Sequence, residues 1–168
     1  MKNALIAAVL LGAAATNVVA EEMIALPESC QMRELSVIQC PLADGISAQD
    51  AIDSMKLRAN TLNFKLVAHM PLSEQVKAMG EDARRMEIYQ FCDALIAKRM
   101  VEHDMVFASF LPCRIALVED KDGKNWLITL NMDQMLGQVA LPGELQGLGA
   151  TVRNNIYSIV GAGVNGDL

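Results

Sequence analysis

The chain lacks most of what announces an enzyme. Its 168 residues include one tryptophan, two tyrosines, four phenylalanines and only two histidines. Four cysteines are present, but they form neither CxxC nor CxxCH, which argues against a thioredoxin-like redox motif and covalent c-type haem attachment. No GxSxG supplies a nucleophile elbow. No motif around a cysteine orients a histidine to activate the thiol, and no carboxylates stand paired and apolar-flanked as a raised-pKa couple would. The expectation is a protein without catalytic turnover. Basic residues are also short, 14 against 20 acidic for a net charge of −6. Such a surface repels phosphate backbones and anionic lipid, so nucleic acid is not an expected partner.

A long apolar run is missing too. Lys2 precedes the stretch Ala4 to Ala15, which gives way to Thr16 and Asn17 and then to Val18-Val19-Ala20. This pattern reads as a secretory leader cut after Ala20, and the stretch is shorter than the ~20 residues a bilayer-spanning helix needs. The expectation is a periplasmic or secreted protein with no stable membrane anchor after cleavage. Its partner would be a small ligand or another exported protein. Residues 1–20 are then the leader, 21–33 an arm that is loose until Cys30, and 34–168 a single domain, a suitable length for one core.

What is present is periodic. Residues 34–40 (ELSVIQC) read as a strand stopped by Pro41. Ser47 and Asp50 have capping-box spacing, and Ile52, Met55, Ala59 and Leu62 recur at helical intervals, predicting a helix from Ser47 to Leu62. Residues 63–71 alternate, with Phe64, Leu66, Ala68 and Met70 on one face of a half-buried strand. A short helix at 73–79 ends at Gly80, and a strand follows at 85–91. Residues 93–102 have helical composition. The segments 113–119 and 125–131 read as the arms of a hairpin turned by Asp120 to Lys124. A short helix at 132–137 and a long apolar stripe from Leu145 to Val160 complete the pattern. The predicted fold class is α+β, a two-layer sandwich in which helices pack on one face of a mixed sheet of about five strands.

The strand leading to Cys92-Asp93-Ala94, followed by Leu111-Pro112-Cys113 and the hairpin LPCRIALVEDKDG, resembles the bacterial and archaeal domain-of-unknown-function family 302. The resemblance spans roughly Leu35 to Leu136. It implies a two-layer α/β fold and no particular activity. The family's first motif usually reads Cys-Asn-Pro, where this chain has Cys92-Asp93-Ala94.

An exported chain meets oxidising conditions, so all four cysteines are disulfide candidates. Three pairings exist, and the economical one joins Cys30 to Cys40 and leaves Cys92 with Cys113. That second pair, with Arg114 as an electrostatic neighbour, is the candidate ligand-binding or redox site, because a thiol at a helix N-terminus has its thiolate favoured. The alternative is a periplasmic thiol redox or sulfur-transfer protein using Cys92 and Cys113. A structural module with all its cysteines bonded is a third possibility. Ten methionines beyond Met1, with His69, His103 and Met105, add a copper or haem reading, since thiolate, thioether and imidazole suit Cu(I) or haem iron. His69 and Met70, however, point to opposite faces of one strand. Met55, Met86 and Met100 stand at apolar positions and read as core filler.

Two apparent motifs fail. Gly161, Gly163 and Gly166 spell GxGxxG, but no helix follows to receive a pyrophosphate, so they read as a frayed tail. Asp120 and Asp122 mimic a calcium loop, yet aligning Gly123 at its sixth position puts Val118 first and Thr129 twelfth, where carboxylates are required.

Overall fold

The computed structural model describes residues 22–34 and 36–167; the expected leader lies outside the described residues. Six strands form one sheet: β1 (Gln31–Arg33), β2 (Val37–Pro41), β3 (Lys65–Pro71), β4 (Met86–Cys92), β5 (Cys113–Glu119) and β6 (Asn125–Leu130). Their order across the sheet is β1-β2-β6-β5-β4-β3, and every neighbouring pair is antiparallel. The α+β class is as expected, but the sheet is antiparallel throughout. The reason lies in the connections: β3 to β6 run as a meander, and β2 joins the far side of β6. The hairpin expected from the sequence, β5 with β6, occupies the centre of the sheet.

Helix α1 (Ala48–Thr61) carries the chain from β2 past β6, β5 and β4 to β3 at the sheet edge. Its start is the expected capping box, with the Asp50 amide donating to the Ser47 hydroxyl at 3.1 Å and the Ser47 amide donating back to the Asp50 carboxylate at 3.0 Å. Asn63, at φ +55, supplies the left-handed turn that follows. Helix α2 (Leu72–Ala78) links β3 to β4, α3 (Ala94–His103) and a 3-10 helix (Met105–Phe110) link β4 to β5, and α4 (Met132–Gly137) leads to α5 (Gly143–Asn165).

Strands β2, β4, β5 and β6 bury every second side chain, the period that a sheet covered on one face imposes. Their inward residues, among them Ile38, Tyr89, Phe91, Ile115, Leu117 and Leu127, pack with Met55 and Phe64 and with Ile156, Ile159 and Val160 of α5. Strand β3 departs from the expected half-buried pattern. It is an edge strand whose pairing with β4 shifts register between Leu66 and Ala68, and Leu66 and Val67 are both exposed. A bulge at an edge breaks alternation and blunts the edge against further pairing.

The glycine-rich end is also not a frayed tail. Helix α5 continues to Asn165, and Gly166 at φ +69 caps it, its amide donating to the Ala162 carbonyl at 2.9 Å. Gly163 is needed inside the helix, because a Cβ there would stand 2.7 Å from Leu127 Cδ1 and from Met55 Cγ. The arm before Cys30 is held rather than loose. Asn154 of α5 accepts from the Ile24 amide at 3.2 Å and donates to the Glu22 carbonyl at 3.2 Å. Arg153 donates to the Ile24 carbonyl and, through Nε and Nη2, to Asp133 at 2.8 and 3.0 Å. Cys30 and Cys40 are joined as a disulfide, with a sulfur separation of 2.06 Å, that ties the arm to the core strand β2.

Candidate functional site

Cys92 closes β4 and Cys113 opens β5, and the register of these neighbours sets Phe91 opposite Cys113. Both cysteines are free thiols, and both line one apolar cavity of about 50 Å³ at the end of the sheet. Its walls come from the sheet end, α3, the 3-10 helix, α4 and α5. Phe64, Met100, Phe107 and Met132 are buried lining residues. Gly149 of α5 also lines it, where a Cβ would press Leu136 Cδ2 at 3.0 Å.

The segment between the cysteines explains the geometry. Asp93 is the N-cap of α3, its carboxylate accepting the amides of Leu95 at 2.9 Å and Ile96 at 3.1 Å. The first-turn donors expected to favour a thiolate are therefore engaged by Asp93. Burial first, and then the Asp93 charge, push the Cys92 thiol above its ordinary value. Burial pushes Cys113 up to about 12, with the neighbouring Cys92 adding to the rise. The expected activation of Cys92 is corrected accordingly: both thiols are held protonated near neutral pH.

Arg114 is not the expected electrostatic neighbour. Adjacent strand residues face opposite sides, and Arg114 is exposed beside Ile88, Ala116 and Ile128 on the other face of the sheet. The metal candidates His69, His103 and Met105 also stand away from the cavity lining. His69 lies on β3, while His103 ends α3 and Met105 is 81% exposed at the start of the 3-10 helix. Among the described residues no group of three or more His, Cys, Asp or Glu side chains is placed to hold a metal ion. The methionines divide: Met55 and Met100 are buried, but Met86 is 39% exposed at the edge of β4 and is not core filler.

A polar cluster that sequence reasoning missed lies on β3 and β4. Glu87, buried at 8% exposure, accepts from the Tyr89 hydroxyl at 2.7 Å, pairs with His69 Nε2 at 2.8 Å and pairs with Arg85. His69 stacks on Tyr89 with ring centroids 4.4 Å apart. Burial acts to raise the Glu87 pKa, but the Tyr89 and His69 hydrogen bonds and the Arg85 charge outweigh it and leave the carboxyl below its usual value. The signal was available: Glu87 alternates in step with Tyr89 and Phe91, so a strand that buries those two buries a carboxylate as well.

Comparison with known proteins gives three findings. The family described as "Domain of unknown function DUF302" matches residues 39–162. A crystal structure of an uncharacterized conserved DUF302 protein from Bacillus stearothermophilus superposes with a TM-score of 0.62 at 15% identity, covering 76% of this chain and 98% of that one. Uracil phosphoribosyltransferases of two Streptococcus pneumoniae strains, R6 and TIGR4, are each 35% identical over 86 residues, 51% of this chain. The matched stretch spans 39% of their length.

Proposed function

The chain belongs to the DUF302 family, and from that premise we propose that it is a small exported binding domain, without catalytic turnover, whose ligand site is the cavity around Cys92 and Cys113. The observation that carries this reading is the convergence of both free thiols on one apolar cavity. A concave, mostly apolar site with a few polar atoms at its wall is the usual form of a binding site. The raised thiol pKa values favour binding over nucleophilic chemistry, because the thiolate is the reacting form. A thiol redox or sulfur-transfer role rests on the same two cysteines and is weakened by the same burial. The cavity does not suit a phosphorylated ligand, which calls for cationic or clustered amide donors, because its lining carries no basic side chain.

Native mass spectrometry of the protein recovered from the exported fraction of its own cells tests this reading. The expected result is a non-covalent mass retained by the wild type and lost in Ala97→Phe, which fills the cavity from α3. Chains without any retained mass, or a mass unaffected by Ala97→Phe, would remove the proposal. Recovery of the protein only from the cytosol would remove its exported part.

A further inference from the structure

Resting on that reading of the cavity, we propose that its ligand is a single Cu(I) ion held by sulfur alone, with Cys92 and Cys113 as thiol ligands and thioethers completing the set. Five of the fifteen lining residues carry sulfur: Cys92, Met100, Cys113, Met132 and Met135. They come from four elements, β4, α3, β5 and α4, so no local spacing rule brings them together. Met132 and Met135 stand three apart on α4, the interval that puts two side chains on one helix face. The lining has no imidazole, and its one carboxylate, Asp93, is already committed to two amides of α3.

The chemistry of this donor set is selective. Thiols and thioethers are soft ligands that suit Cu(I). Structural zinc sites are closed by four Cys or His ligands, and calcium and magnesium need oxygen; this lining meets neither requirement. The wall also dictates the charge of the complex. An apolar lining penalises net charge, and Cu(I) with one thiolate is neutral, whereas two thiolates would leave one negative charge. Binding is therefore a proton exchange: one cysteine S–H bond breaks, its proton leaves to solvent, and the sulfur lone pair forms the bond to copper. The second thiol and the thioethers donate as neutral ligands, and copper remains Cu(I) throughout. The Asp93 charge at the wall favours entry of a cation over an anion.

The bland alternative is that the thioethers are core filler against Phe64, Phe107 and Phe110. Anaerobic titration of the reduced full chain with Cu(I), in competition with a chromogenic Cu(I) chelator, decides between them. The proposal expects uptake of one equivalent per chain, release of one proton per copper, and no comparable uptake of Zn(II). Cys113→Ser should abolish uptake. Met132→Leu conserves volume and should preserve the denaturation midpoint, while weakening Cu(I) binding. Added Ag(I), a redox-silent substitute, should move the NMR methyl signals of Met100, Met132 or Met135 and leave that of Met79, which is 83% exposed, in place. No uptake by reduced wild type overturns the proposal, as does uptake undiminished in Cys92→Ser/Cys113→Ser. If copper uptake fails while the mass retained by the exported protein is still lost on Ala97→Phe, the copper assignment falls and the cavity remains a binding site. If both fail, both readings fall.

Discussion

Trp126, the one tryptophan of the chain, donates its indole N–H to the Asp120 carboxylate across the β5–β6 turn at 2.7 Å. The same carboxylate accepts the Asp122 and Lys124 amides, each at 2.9 Å, so one side chain organises the whole turn. The Trp126 hydrogen bond foremost, followed by the Lys124 amide, holds the Asp120 carboxyl below its ordinary value of 3.8. A carboxyl depressed in the folded state contributes stability above its unfolded pKa and loses that contribution as pH falls through the folded one. Trp126 emission should therefore change in a step below pH 3.8, and Asp120→Asn should remove the step. A step unchanged by Asp120→Asn would assign it to another group.

Glu87 is another group whose protonation the fold opposes. Glu87→Ala leaves the Tyr89 hydroxyl buried without its acceptor and deprives Arg85 and His69 of their partner. Loss of a partner for a buried polar group costs about 1–3 kcal/mol. Urea denaturation should show a lower midpoint with an unchanged slope, and Tyr89→Phe should make the further cost of Glu87→Ala smaller, because the stranded hydroxyl is gone. Equal costs in the two backgrounds would mean that Tyr89 and Glu87 do not interact.

Helix α5 supplies a paired test of close packing. Gly163→Ala forces a methyl to 2.7 Å from Leu127 and Met55, both fully buried, and overpacking of this kind costs about 1–3 kcal/mol. Gly147→Ala, on an exposed turn with nothing within 4 Å, should instead stabilise by up to about 1 kcal/mol through helix propensity. Thermal denaturation should move the two variants in opposite directions; a stabilising Gly163→Ala would contradict the close approach of α5 to the sheet.

Legibility in the sequence followed locality. The β5–β6 hairpin could be read because each strand alternates over six or more residues and a turn-forming Asp-Lys-Asp-Gly separates them. Helix α1 could be read because its capping box lies within four residues. Strand β1 has three exposed residues and no period, and the β3 bulge erased the alternation that its composition suggests. The GxGxxG residues were misread because the need for glycine at 163 is set by Leu127 and Met55, distant in sequence. Of the candidate site, Cys92 and Cys113 were legible as chemistry, but their surroundings were not: Met132 and Met135 look like ordinary apolar residues until the fold sets α4 at the wall of the cavity. Arg114 was a nearer miss, since strand alternation alone turns it away from Cys113.

Asp93 holds two roles that substitution can separate. As N-cap it accepts two amides of α3, and as a charge it adds to the burial that raises the Cys92 pKa. Asp93→Asn keeps a capping oxygen and removes the charge. Cys92 alkylation in the reduced protein should then become faster at fixed pH, its pH profile displaced toward acid, while the thermal midpoint changes little, because Asn and Asp cap about equally well. Asp93→Ala removes charge and cap together, so it should accelerate alkylation and also cost about 1 kcal/mol of stability. Burial remains in both variants and keeps the thiol above its ordinary value, so neither should produce a thiolate at neutral pH. An alkylation profile unmoved by Asp93→Asn would mean that burial alone sets the Cys92 pKa.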